Sequence, residues 1–74
     1  MQQTIIENSE KFSPKELEIL RLISEGHSSL EIGKKLFLSV DTIKSYRKKL
    51  MIKFQARNVA GMIRRAIEQR IIVF

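Results

Sequence analysis

Lys44, Ser45 and Lys48 are the residues of this 74-residue chain whose types and spacing suit a definite chemistry. On a helix at about 100° per residue they share one face with Asp41. Ammonium groups and a hydroxyl are donors of the kind that meet the acceptors on base edges in a DNA major groove. Around them, Thr42, Arg47, Lys49, Lys53 and Arg57 supply further donors and cations. Ser28 and Ser29 stand where another helix would begin, and free N–H groups at a helix start favour a phosphate oxygen. The chemistry suggested is contact with a polyanion: base edges for Lys44, Ser45 and Lys48, phosphates for Ser28, Ser29, Thr42, Arg47, Lys49, Lys53 and Arg57. Arg47 falls near the apolar side of the wheel, so a structural role is an equal alternative for it.

Other chemistries find little support. The chain has no cysteine, which removes disulfides and thiolate metal sites and suits a reducing compartment. His27 is the single histidine and has no Cys, Asp or second His at usable spacing. Glu16 and Glu18, two apart on a helix, point in different directions and are read as a cap and a surface charge. No nucleophile motif or glycine-rich phosphate loop appears, so neither an enzyme nor a cofactor or metal is expected. A polar, acidic N-terminus and the absence of an apolar run near ~18 residues make neither a signal peptide nor a membrane span expected, with the cytoplasm as default.

The charge distribution agrees with a polyanionic partner. Net charge is +6, yet through Gly33 there are three basic against six acidic residues, and from Lys34 onward eleven against two. Such asymmetry is the electrostatic footprint of a nucleic-acid binder. A content of 43% hydrophobic and 30% charged residues indicates one globular domain, close to the lower size limit for a self-sufficient core.

Positioning the donors takes two helices and a tight turn. Ser28 caps the first, and Glu31 three residues on completes a capping box. Ile32 and Leu36 form its buried stripe. Gly33 is small enough for close crossing, so alanine there is expected to be tolerated and leucine not. Phe37 and Leu38 break the period, and Ser39 caps a second helix with Asp41 in its first turn. Ile43, Leu50 and Phe54 make the back of that helix, with Val40 at the edge. A helix apolar behind and basic in front, preceded by a short helix at a tight turn, is a helix-turn-helix. Upstream, Ser13-Pro14 and Glu16 start a helix with a broad apolar arc from Leu17 to Ile23, ended near Glu25 by Gly26. Downstream, a helix from about Asn58 to Gln69 carries Val59, Ala60, Met62, Ile63, Ala66 and Ile67, wider than one core-facing stripe requires. Residues 1–11 are expected to be a flexible arm or linker, with the domain over 12–74.

Glu31-Ile32-Gly33, Leu36-Phe37-Leu38-Ser39 and Thr42-Ile43-Lys44 resemble the signature of the LuxR-type (GerE-like) helix-turn-helix domain. Ser13 to Leu20, Gly26, Lys53-Phe54 and Arg57-Asn58 are similar to its flanking helices and turns, so the likeness covers roughly Phe12 to Glu68. It implies an all-α, four-helix bundle-like fold of the LuxR C-terminal type, and a recognition helix over about residues 40–53. The implied function is sequence-specific binding of double-stranded DNA by a bacterial transcription regulator, often as a response-regulator output domain. It points to the same base-reading face, and it makes the fourth helix a homodimer contact, with Ala60, Ile67 and Ile71 on the shared edge. RNA polymerase is a further implied partner, and no membrane is involved. The family usually has His at the position of Tyr46, Asn at Lys49 and Leu-Gly at Phe54-Gln55. The missing glycine leaves open how the turn after the recognition helix is made. The apolar end Ile71-Ile72-Val73-Phe74 either folds back over the core or joins the dimer contact. Competing readings are a sigma-factor-like promoter module, disfavoured by the wide fourth helix, and a basic protein-interaction module.

Overall fold

A computed structural model of the chain describes Thr4–Ile5 and residues 11–73. In chain order the elements are β1 (Thr4–Ile5), α1 (Pro14–Ser24), α2 (Ser29–Leu36), α3 (Val40–Phe54), α4 (Val59–Glu68) and β2 (Ile72–Val73). Four helices make the fold, as the sequence implies. The two short strands pair antiparallel, Thr4 with Val73 and Ile5 with Ile72. The remainder of residues 1–10, on which the idea of a flexible arm bears, lies outside the described residues.

Each helix starts where its side chains satisfy the orphan N–H groups. Ser13 and Glu16 form a reciprocal capping box on α1, and Ser28 and Glu31 form another on α2. Ser39 and Asn58 cap α3 and α4 by accepting from the backbone N–H groups of Thr42 and Gly61. α1 ends at Ser24 with Glu25 as its C-cap, and Gly26 follows with φ +95°, the left-handed region glycine enters most readily. The turns after α2 and α3 have no glycine, and Phe37 (φ 58°) and Gln55 (φ 54°) take that conformation instead. Gln55 therefore makes the turn for which the family uses glycine. Its N–H donates to the carbonyl of Ile52, and that of Ala56 to Met51.

The core surrounds α3, which packs on α1, α2 and α4. Ile19, Leu20, Ile32, Ile43, Leu50 and Met62 are fully buried within it. α1 packs on both α2 and α3, which accounts for its broad apolar arc. Phe12 stacks on Phe54 with ring centroids 5.2 Å apart, joining the lead into α1 to the end of α3. The described part of the apolar C-terminal end, residues 71–73, folds back: Ile71 and Ile72 are buried beside α4.

At Gly33 the structure corrects the sequence argument. A Cβ there would lie 2.6 Å from the carbonyl oxygen of Leu38, a backbone atom of the turn. The close approach is thus to the turn itself. Alanine would displace it, which sets a steric cost against the helix-propensity gain of about 1 kcal/mol.

Candidate nucleic-acid interface

α3 owes its orientation to the residues on its back. Ile43, Leu50 and Phe54 are buried, with Tyr46 and Met51 half-buried against the same core. Asp41, Lys44, Ser45 and Lys48 are among the residues that remain outward, all exposed. The three base-edge candidates therefore do share one open face. A shallow depression of about 330 Å³ runs beside them, lined by Lys44, Arg47, Lys48 and Met51.

The seven phosphate candidates separate into two groups. Thr42 and Lys49 lie on the flank of α3, and Arg57 is exposed in the turn before α4. Ser39 donates its hydroxyl proton to Thr42 Oγ1 at 2.8 Å, so the Thr42 hydroxyl keeps its own proton for an outside acceptor. Lys49 Nζ stands 5.8 Å from the centre of the Tyr46 ring, which steadies it without neutralising it.

Ser28, Ser29, Arg47 and Lys53 are engaged within the fold. Ser28 Oγ accepts from the N–H of Glu31 at 3.1 Å, and its own N–H donates to Glu31 Oε1 at 2.8 Å. The Ser28 backbone hydrogen bond, then the Ser28 side chain, holds the Glu31 carboxyl below its ordinary value, with His27 and Lys35 adding to the effect against burial. Ser29 is buried, because its place in the first turn faces α3, and its Oγ accepts from the Arg47 guanidinium at 2.7 Å. Arg47 thus ties the middle of α3 to the start of α2.

Lys53 Nζ donates to Glu16 Oε1 at 2.8 Å and to the carbonyl of Lys11 at 3.0 Å, and lies 5.1 Å from the centre of the Phe12 ring. Five residues beyond Lys48, it is rotated about 140° from the outward face. Burial pushes the Glu16 carboxyl up, but the Lys53 hydrogen bond, the Ser13 N–H, the Lys53 charge and the Ser13 hydroxyl together bring it below its ordinary value. Sequence reasoning assigned Glu16 to the cap and missed this pair. Thirty-seven residues separate its members, and no local pattern joins them.

On α4, Ala60 and Ile67 are exposed, but Ile71 is only 1% exposed and does not share their edge. The helical wheel stops applying at Glu68. Arg70 then takes φ 60°, the chain reverses, and Ile71 is turned into the core. His27 is half-buried, with Nε2 3.7 Å from Glu25 and Nδ1 3.9 Å from Glu31. Among the described residues no group of His, Cys, Asp or Glu could hold a metal ion, and no helix is long and apolar enough to cross a membrane.

The family model for bacterial regulatory proteins of the luxR family matches residues 10–66. Oxygen regulatory protein NreC of Staphylococcus aureus, in strains JH9 and USA300, is 34% identical over 62 residues. That alignment covers 84% of this chain and 29% of NreC, so the chain spans less than a third of these relatives' length. No solved structure gives a significant match. The matched span takes in α1 to α3 and most of α4, with the exposed donors of α3 inside it. The chain belongs to the luxR family of bacterial regulatory proteins, in which it is a DNA-binding helix-turn-helix domain.

Proposed function

We propose that the chain recognises specific double-stranded DNA sequences, with α3 lying in the major groove, as residues 12–74 of a transcription regulator's DNA-binding part. The observation that carries this is the two-sided character of α3. Its back is locked into the core by Ile43, Leu50 and Phe54, while Lys44, Ser45 and Lys48 stand free on the front. Locked backing fixes where the donors point, which base-edge readout requires.

Thr42, Lys49 and Arg57 then set register on the phosphates. The start of α2 is a further phosphate site. Arg47 reaches Ser29, in the first turn of that helix, so a guanidinium stands near the positive end of a helix dipole. These two positive groups, set against the Glu31 carboxylate that already caps this end, favour a phosphate there. Lys53 serves the fold through Glu16.

One helix reads only a few base pairs, so the active form is a two-fold dimer on DNA, paired through the Ala60–Ile67 edge of α4. RNA polymerase is the other macromolecule on which such a regulator acts.

Selection from a random duplex pool, followed by Lys48→Ala, tests the assignment. Specific binding should weaken by about 1–3 kcal/mol, with preference relaxed at one or two base pairs per half-site. Equal weakening on every sequence would remove Lys48 from the base edge. A basic surface for protein partners would instead show no preferred sequence.

A further inference from the structure

Ile52 is 66% exposed and is not among the apolar side chains packed on the core. A lone exposed isoleucine is ordinary on a protein surface. Its place is what gives this one meaning. Seven residues after Ser45 and four after Lys48, Ile52 falls at an azimuth between theirs on α3. It lies about 6 Å beyond Lys48 along the helix axis. The outward stripe of α3 therefore runs from Lys44 and Ser45 through Lys48 to an apolar, β-branched side chain.

The other large exposed hydrophobics, Leu30, Phe37 and Ile67, lie off this stripe, on α2, in the turn that follows it, and on α4. Among the described residues Ile52 is left uncovered, and it contributes nothing to the solubility of a basic face. In a major groove, the apolar feature that a side chain can meet is the C5-methyl of thymine.

We infer that Ile52 is a specificity-determining residue, packing on a thymine methyl one or two base pairs beyond the position read by Lys48. This rests on the proposed placement of α3 in the major groove. At about 3.4 Å per base pair, the 6 Å step along the helix gives that offset. The two kinds of contact are complementary, since lysine donors select acceptors on purines and a methyl contact selects thymine.

The test uses the duplex selected by the wild-type domain, with each thymine replaced in turn by deoxyuridine. That exchange removes the methyl and keeps every hydrogen-bonding group. One thymine per half-site, beside the Lys48 position, should weaken wild-type binding about four-fold when replaced, the equivalent of about 0.8 kcal/mol for one buried methyl group. Ile52→Ala should bind the thymine duplex correspondingly less well and be indifferent to deoxyuridine at that position. Alanine is a better helix former than isoleucine and the site is exposed, so the variant's melting temperature should be unchanged or higher.

A scan with no sensitive thymine, or an Ile52→Ala variant that keeps the full deoxyuridine penalty, overturns the inference while leaving DNA recognition intact. Absence of any preferred sequence for the wild type overturns both.

Discussion

Replacing Glu16 by Gln asks what the ion pair with Lys53 contributes, and the geometry allows a clean answer. Both the Ser13 N–H and Lys53 Nζ donate to the same oxygen, Glu16 Oε1, each at 2.8 Å. Glutamine presents an amide oxygen in the same place and is itself a capping-box residue. Glu16→Gln therefore keeps the cap and removes the charge. At 2.8 Å the Coulomb attraction is about 1.5 kcal/mol with water-like screening and about 6 kcal/mol at an effective dielectric of 20. Burying the Glu16 carboxylate opposes that gain, and Lys53, 39% exposed, keeps part of its hydration. Between a surface pair and a buried one, the net contribution is about 1–2 kcal/mol. In a domain this small that corresponds to roughly 5–15 °C in melting temperature.

The pH dependence gives an independent check. The Glu16 carboxyl of the folded chain sits below its ordinary value, so at neutral pH it is ionised in both states and the pair's contribution is present in full. As pH falls past the unfolded value near 4.3, the unfolded chain takes up its proton first. The contribution is then lost until pH drops below the folded value. Glu16→Gln should flatten this part of the stability curve, leaving the slope from Glu31, which is lowered as well. Thermal melts of both proteins between pH 7 and pH 3 make the comparison. Parallel curves would refute the account, as would a glutamine variant as stable as wild type at pH 7. Lys53→Met completes a double-mutant cycle, with a coupling of about 1 kcal/mol expected. On DNA it should leave the salt slope unchanged; a slope shallower by about 1 would mean that Lys53 reaches a phosphate after all.

Two further outcomes are expected. Gln55→Gly should raise stability by about 0.5–1 kcal/mol, because the left-handed conformation at φ 54° costs a side-chain-bearing residue about 1–2 kcal/mol, less the added entropy of glycine in the unfolded chain. Urea unfolding measures it, and a loss of stability would show that the Gln55 side chain makes up that strain. Ile67→Glu puts a charge on the open edge of α4, where Ile67 is exposed, so the fold should survive while cooperative binding to a full site is lost. Wild-type stoichiometry and cooperativity on that site would take α4 out of the interface.

Helix boundaries, caps and the outward face of α3 were legible because they follow from local pattern. Ser13 with Glu16, Ser28 with Glu31, and the period of Ile43, Leu50 and Phe54 each lie within one segment. Contacts between segments were not legible. Lys53 is basic and lies on the same helix as Lys44 and Lys48, so composition grouped it with them. Only the packing of α1 against α3 brings Glu16 to it. Ser29 was grouped with Ser28 as a neighbour at a helix start, yet one residue around the helix turns its hydroxyl inward to Arg47. Ile71 failed in another way: a wheel extended past Glu68 assumed a helix that a left-handed Arg70 had already ended.

The turn between α2 and α3 shows how the reading face is held in place. Phe37 adopts φ 58° while 94% exposed, so it bears both backbone strain and an unburied ring. In return the N–H groups of Phe37 and Leu38 both reach the Gly33 carbonyl, and the chain reverses within three residues. The same reversal brings the Leu38 carbonyl so close to Gly33 that a side chain there would collide with it. Arg47 closes the far side by bonding to Ser29. α2 and α3 are thus joined at the turn and again across their crossing, and neither joint uses Lys44, Ser45 or Lys48. Those positions can exchange side chains, and with them the sequence that is read, without loosening the pair of helices that aims them.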